Sequence, residues 1–573
     1  MVSKEEVTQP TPGEYSHREI LTILSGLMVG MFLAALDQTI VATSVRTIAD
    51  DLDGFSILAW VTTAYLITST ISTPLYGKLS DLYGRKPFFM AAISIFVIGS
   101  MLCGIATSMY ELAAYRAVQG LGAGGLMSMA LAIIGDIVPP RERAKYQSYF
   151  LAVFGTSSVL GPVIGGLLAG QSSILGVTGW RWVFYINVPL GIIALVVVWR
   201  VLNLPVNRRE ARIDWWGAAL LTVGLVPLLI VAEQGRVWGW SSPRALTFFA
   251  IGILGLVAFV LAEIKMGDDA LIPMRFFRNS LFSLCIAVSV ISGAAMFGGI
   301  SLLPQYLQVV KGSSPTLAGY QTLPLVGSLM ISSIVSGRII SKTGRYKIFP
   351  VCGTAAMALA MFLFHYVHAD TPLWQTMLVM ALFGLGVGSM MQPLTLAIQN
   401  AMPPKDMGVS TSAATFFRQI GATLGVAVFV SMLFTQLAPK TGDALVEAST
   451  DPAFQEAVKT AAGSADPLES GFANAIVAGD PSIAGSALVD TSFIQKLESA
   501  LAEPFRIGFS DAMDYVFLAV AILLVIGFVL VLFVKEVPLR TMSGLAAAQQ
   551  EREEEAAAAA TAAESDSTPG DKQ

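Results

Sequence analysis

The sequence predicts an all-α polytopic membrane protein of 14 transmembrane helices, two six-helix bundles plus two additional helices. Three observations carry that prediction. Over 573 residues the chain is 54% hydrophobic and only 13% charged, with a mean hydropathy of +0.67, where a soluble domain carries about 25% charged residues. Apolar runs close to the twenty residues needed to cross a hydrocarbon core of about 30 Å recur along it. A block of the first half is repeated in the second. The composition excludes a disordered chain and an ordinary soluble enzyme. A net charge of -5 leaves no basic footprint for nucleic acid.

The runs fall at 20–42, 57–76, 88–107, 112–134, 146–169, 183–199 and 215–232, then 246–262, 282–306, 319–340, 348–366, 373–398, 411–433 and 512–534. The first is read as a span, not a cleaved leader. It is long, holds Asp37, follows acidic Glu5 and Glu6, and lacks a small-residue exit site. Alternate loops carry the basic residues, among them Lys78, Arg85, Lys86, Arg141, Arg143, Lys145, Arg208, Arg209, Arg275, Arg345 and Lys405. The opposite loops before the last hold Arg46, Arg181, Arg236, Arg244 and Lys311. Cytoplasmic loops retain Lys and Arg, so both termini are expected in the cytoplasm and the protein in the cell membrane.

The organisation expected from these runs begins with a cytoplasmic segment at 1–19, an N-terminal six-helix bundle at 20–200, and a linker with helices seven and eight at 201–281. Helices nine to thirteen of a C-terminal bundle occupy 282–434. A long external loop at 435–511 precedes helix fourteen at 512–534, and an Ala/Glu-rich tail at 535–573 reads as disordered. The loop reads as a flexible insertion, with residues 493–501 suited to a short amphipathic helix.

Repetition supplies the two-bundle reading. Gly120, Gly122 and Gly124, followed by Asp136, Pro139, Pro140, Arg141 and Glu142, reappear as Gly384, Gly386 and Gly388, followed by Asn400, Pro403, Pro404, Lys405 and Asp406, at an offset of 264. Gly77, Gly84 and Arg85 recur as Gly337, Gly344 and Arg345 at an offset of 260. A pseudo-twofold along the membrane normal is a transporter pattern.

Little else offers chemistry. Cys103, Cys285 and Cys352 lie in apolar runs without metal spacing, and His365 with His368 shares a helical face without an evident third ligand, so no metal site is expected. Only Asp37, Arg116 and Arg418 lie well inside spans; Asp511 and Asp514 sit near an end.

At these residues a family resemblance emerges. Gly77-Lys78-Leu79-Ser80-Asp81-Leu82-Tyr83-Gly84-Arg85-Lys86 resembles the helix two to three signature of the major facilitator superfamily, and Arg116-Ala117-Val118-Gln119-Gly120 its helix-four motif. Gly161-Pro162-Val163-Ile164-Gly165-Gly166 is similar to the antiporter motif, with Ser157 where a glycine is usual. The segments 36–41 and 180–189 resemble the fourteen-helix drug/proton antiporters of EmrB/QacA type. After the Asp37 motif this chain has Ala42, Ser44, Val45 and Arg46, where that family commonly has Asn and then Leu-Pro.

Asp37 lies seventeen residues after Ile20, about 25 Å along its helix, and Arg116 enters from the same outer side. A lone carboxylate at that depth is costly, and a nearby cation offsets the cost, so the pair is read as the proton-coupling site, against a static pair that fixes two helices. The resemblance implies a cytoplasmic latch of Asp81, Arg85 and Asp136, against a loop that only sets topology. Ser341 replaces the acid in the second copy. Most glycines read as helix packing, whereas Gly161 and Pro162, with Gly165 and Gly166, suit a hinge. Arg418, Gln38, Gln119, Phe297 and Phe416 are the candidates for the substrate or the inner mouth, Arg418 being equally suited to positioning helices.

The function expected is a proton-coupled antiporter exporting amphipathic organic compounds by alternating access, with no cofactor beyond the proton gradient. Export of lipids or lipoconjugates is the alternative. An intramembrane enzyme or receptor lacks a His/Ser/Cys constellation at one depth. A monomer in the bilayer is expected, with a possible partner at the external loop. Because Asp37 is the single deep acid, lipophilic monocations or neutral amphiphiles are expected to be exported better than rigid dications.

Overall fold

The computed structural model describes residues 15–52, 58–204, 212–464, 466–478, 492–495, 497–543, 545–547 and 549–550. The first half holds α1 (His17–Asp51), α2 (Leu58–Tyr83), α3 (Arg85–Gly104), α4 (Met109–Ile137), α5 (Pro140–Ala169), the one-turn α6 (Trp182–Tyr185) and α7 (Asn187–Val201). Next come α8 (Trp215–Trp238) and α9 (Pro243–Met266). The second half holds α10 (Ser280–Val309), α11 (Pro315–Gln321), α12 (Leu323–Thr343), α13 (Ile348–Phe364), α14 (Leu373–Ala401), α15 (Met407–Ala448), α16 (Pro452–Ala462), α17 (Pro467–Val477) and α18 (Ser499–Leu532). A two-stranded hairpin, β1 (Ser173–Ile174) with β2 (Val177–Thr178), precedes α6.

Local sequence writes the helix ends. Ser16 and Glu19 form a capping box at α1, while Ser108, Ser242 and Ser314 cap α4, α9 and α11. Gly84, at φ +99°, turns the chain between α2 and α3, a conformation that a side chain would strain.

Twelve helices among the described residues are long and apolar enough to cross a membrane, against the fourteen expected. Helices occupy the other two positions. α13 is a shorter apolar helix, and α2 is diluted by hydroxyls that bond back to their own helix, as Thr70 does to the Leu66 carbonyl and Thr73 to that of Ser69.

The two halves repeat the same packing. α2 against α4, α3 against α4, α1 against α5, α1 against α7 and α3 against α7 correspond to α12 against α14, α13 against α14, α10 against α15, α10 against α18 and α13 against α18. The halves meet chiefly through one related pair of contacts, α2 with α15 and α12 with α5, and next through the related pair α4 with α15 and α5 with α14. The repeated glycines explain that meeting: a Cβ on Gly77 would collide with Ser412 of α15, and one on Gly337 with the Ala144 carbonyl of α5. α8 and α9 pack on each other, and Leu221, Leu225, Leu229 and Phe259 share the apolar core of the second half. Where α8 begins and α9 ends, the buried carboxyls of Asp214 and Glu263 lie within hydrogen-bond reach of one another.

Two boundaries differ most from the sequence reading. α15 continues to Ala448, beyond the expected end of helix thirteen, and α18 begins at Ser499 instead of 512. Leu437 and Thr441 of α15 and Leu501 and Ala502 of α18 are all buried, because a Gly508 without a side chain lets the two extensions close on Thr441. The expected external loop therefore holds helical extensions plus α16 and α17. The residues expected as an amphipathic helix at 493–501 form a short 3-10 turn (Ser492–Gln495) and the first turn of α18. The tail expected to be disordered at 535–573 begins ordered, Glu536 accepting from the Tyr346 amide and the Val537 and Arg540 amides donating to Tyr346 Oη and Asn400 Oδ1, and lies outside the described residues from 551 onward.

Candidate transport site and inner latch

α1 places Asp37 on its inward face, α4 places Arg116 and Gln119 one turn apart, and α7 begins with Asn187. All four side chains are buried. Arg116 donates from Nη1 to Asp37 Oδ2 at 2.7 Å, while Asp37 Oδ1 accepts from Gln119 Nε2 at 2.9 Å and Asn187 Nδ2 at 2.7 Å. Arg116 also donates to Gln119 Oε1 at 2.7 Å and to the Val61 carbonyl, and its guanidinium sits 4.1 Å over the Tyr65 ring. Asn187 donates in turn to Ser100 Oγ, which donates to the Phe184 carbonyl. The carboxylate thus accepts from three donors on two other helices, the condition under which a buried charge is tolerated.

Sequence reasoning paired Asp37 with Arg116 and placed Gln119 among the substrate candidates; the structure brings Gln119 to the carboxylate. It missed Asn187, Ser100 and Tyr65. Asn187 had a signal, since it stands within the resembling segment 180–189.

Beside this site hydroxyl side chains of α1 seat directly on the backbone of α5. A Cβ on Gly161 would collide with Thr39, and one on Gly165 with Thr43, while Thr39 donates to the Ser157 carbonyl and Ser44 to that of Gly165. Gly161 and Gly165 therefore pack helices. Gly166 faces open space, and the side chain of Pro162 lies outside the described residues.

The predicted latch residues meet at the Lys/Arg-rich face. Arg85 pairs with Asp81 and, at 2.8 Å, with Asp136, and it donates to Ser80 Oγ. The structure adds what the sequence did not show: Asp81 accepts from the Gly408 and Val409 amides at 3.2 and 2.9 Å, so it caps the first turn of α15 across the bundle boundary. The related contact inverts the chemistry. Where Ser341 replaces the acid, Arg141 of α5 donates to the Ser341 and Lys342 carbonyls at the end of α12, at 3.0 and 2.8 Å. Lys78 donates to the Asp268 carbonyl while Arg275 pairs with Asp268 and Asp406, so the segment after α9 is tied to both halves.

The remaining candidates separate. Arg418 lines a small, partly open crevice with Ser289, Ser292, Met296, Met390, Met391, Leu394 and Thr395. Gln38 is half-buried outside the Asp37 cluster, Phe297 packs on the apolar core, and Phe416 is buried edge-on against Phe417. None of these three lines that crevice. His368 does gain companions, Asp511 and Asp514, with donor atoms within 4.8 Å of one another. His368 Nδ1 lies 3.6 Å from Asp514 Oδ2, and the charge of Lys440 acts on the same Asp514. A local cation thus offsets that cluster. Asp514, expected near a helix end, is buried because α18 starts earlier than the apolar run.

The Major Facilitator Superfamily profile matches residues 27–426. The chain belongs to that superfamily. It is 37% identical over 436 residues to the multidrug transporter protein MdtP of Bacillus subtilis (strain 168), covering 76% of this chain and 78% of that protein. It is 33% identical over 523 residues to multidrug resistance protein 3 of the same organism, covering 91% and 96%. The fold matches the proton:xylose symporter XylE with a TM-score of 0.58 at 16% identity, over 93% of this chain and 99% of that one. As a Major Facilitator protein the chain is a multi-pass membrane transporter of small molecules, not an enzyme.

Proposed function

We propose that this transporter is a proton-coupled antiporter that exports amphipathic organic compounds by alternating access, as a monomer crossing the cell membrane fourteen times with both termini in the cytoplasm. The observation that carries the reading is the sealed carboxylate of Asp37, held by Arg116, Gln119 and Asn187. A proton arriving on Asp37 cancels the charge that Arg116 neutralises and removes an acceptor from the three-donor arrangement. α1 is then released from α4 and α7. Because Thr39 lies against Gly161 and the Ser157 carbonyl, a shift of α1 passes to α5, which meets α12 at the bundle boundary. The latch at Asp81 and Arg141 is the part of that boundary that must open for the Lys/Arg-rich face to admit substrate. The names of the relatives, multidrug transporter and multidrug resistance protein, support drug-like substrates. Proteoliposomes with an imposed pH gradient test the coupling: export should require the gradient, release protons in exchange for substrate, and vanish in Asp37→Asn. Uphill export by that variant, at the wild-type rate, would defeat the proton-coupling role.

A further inference from the structure

Among the described residues the buried arginines are compensated in visible ways, and half-buried Arg418 is not. Arg116 and Asp37 neutralise each other, Arg85 sits between Asp81 and Asp136, and Arg143 donates to the Val138 and Gly135 carbonyls at 2.7 and 2.5 Å and to Gln399. Arg418 of α15 has no hydrogen bond or ion pair among the described residues, although only its partial exposure keeps it from being fully buried. Its neighbour Gln419 is engaged, accepting from Thr73 of α2 across the bundle boundary, so this stretch of α15 faces the first half.

The crevice that Arg418 lines is built by α10, α14 and α15. α10 and α14 are the second-half counterparts of α1 and α4, the helices that carry Asp37 and Arg116. Three hydroxyls line it, and each proton is parked on a carbonyl of its own helix: Ser289 on Cys285, Ser292 on Ser289, Thr395 on Met391. One side-chain rotation redirects such a proton to an incoming acceptor. Met296, Met390, Met391 and Leu394 supply the apolar wall, and no carboxylate lines the space. A cationic guest would meet a like charge there with nothing to offset it, whereas an anionic oxygen would meet a guanidinium fork and three hydroxyls.

We propose that this crevice receives an anionic head group, a carboxylate or similar oxyanion, on an amphipathic substrate, with Arg418 as its counter-charge. The inference rests on the export reading above and names the substrate class of that transporter. It reverses the sequence expectation, which saw one deep acid and reasoned toward monocations; Asp37 is already neutralised by Arg116, so the charge left open to a guest is positive.

The test uses three probes with one hydrocarbon body: a naphthylalkyl carboxylate, its methyl ester and the corresponding primary amine. Binding to the purified full-length protein in detergent and gradient-driven export in proteoliposomes are measured for each. The wild type should bind the carboxylate about tenfold tighter than the ester and the amine weakest. Arg418→Gln should erase the carboxylate preference, so that the carboxylate binds no tighter than the ester, and Arg418→Lys should keep part of it, since the charge remains and the fork is lost. A carboxylate preference that persists in a monodisperse Arg418→Gln protein overturns the inference, as does a wild type that prefers the amine or does not bind the carboxylate. Export of the ester or amine in the same vesicles would then show that transport stands while this assignment falls; no gradient-driven export of any probe would count against the export reading itself.

Discussion

At Asp37 the balance between burial and hydrogen bonding decides what each substitution does. Asp37→Asn keeps the side-chain shape, so the protein should insert and purify normally while gradient-driven efflux is lost, as read in proteoliposomes. Arg116→Ala is the harsher change. It leaves a buried carboxylate with two neutral donors, at a cost of about 3–5 kcal/mol, and should lower the thermal unfolding temperature of the detergent-solubilised protein well below that of Asp37→Asn. Combining Arg116→Ala with Asp37→Asn should recover part of that loss, because the uncompensated charge is gone. If the double variant is no more stable than Arg116→Ala alone, the two side chains are not energetically coupled. Asp37 and Arg116 were legible because charges are rare in apolar runs. Asn187 and Ser100 were not, since single uncharged polar residues occur throughout such helices and only packing shows which of them meet.

Between helices, two of the contacts across the boundary have opposite polarity. Asp81 places a negative charge at the first turn of α15, and Arg141 places a positive one at the last turn of α12, each complementing the helix end it meets. Asp81→Asn loses a charge-assisted bond to two amides, worth roughly 2 kcal/mol, which is enough to shift a two-state equilibrium by roughly thirtyfold. Distances between spin labels placed on α3 and α13 at the Lys/Arg-rich face should lengthen in that variant. An unchanged distribution together with normal export would leave Asp81 as a loop anchor. The sequence identified Asp81, Arg85 and Asp136, but Gly408 and Val409 contribute through backbone amides, which carry no side-chain signature.

For the molecule as a whole, the outer segment between α15 and α18 divides into parts of different weight. α15 beyond residue 434 and α18 before residue 512 pack on each other through Leu437, Thr441, Leu501 and Gly508, continuing the core outward. α16 buries Phe454, Ala457, Val458 and Ala461 and packs on α17 and α18. Replacing 452–478 with a Gly/Ser linker should preserve insertion and part of the gradient-driven export, because loop closure costs little more as length changes. Replacing 440–500, most of the segment that the sequence reads as a flexible insertion, should instead reduce the yield of monodisperse protein by removing Thr441 and the rest of the α15 extension from against α18. Size-exclusion profiles and efflux of the two deletions side by side decide the matter. Equal behaviour would mean that the extensions do not stabilise the bundles.

What the sequence determined by itself was whatever depends on the cost of burying polar groups in an apolar medium. Runs of apolar residues place the helices, the basic loops suggest an orientation, and the offset of 264 between Gly120 and Gly384 exposes the duplication. What only the tertiary structure decided was pairing. That Gln119 and Asn187 share one carboxylate, that Gly77 and Gly337 perform the same close approach in the two halves, that α18 starts before its apolar run, and that Arg418, unlike Arg85, Arg116 and Arg143, has no partner among the described residues are all consequences of which helix faces meet. Helix faces are chosen by the fit of small and large side chains over many residues at once, and no local pattern in the chain carries that sum.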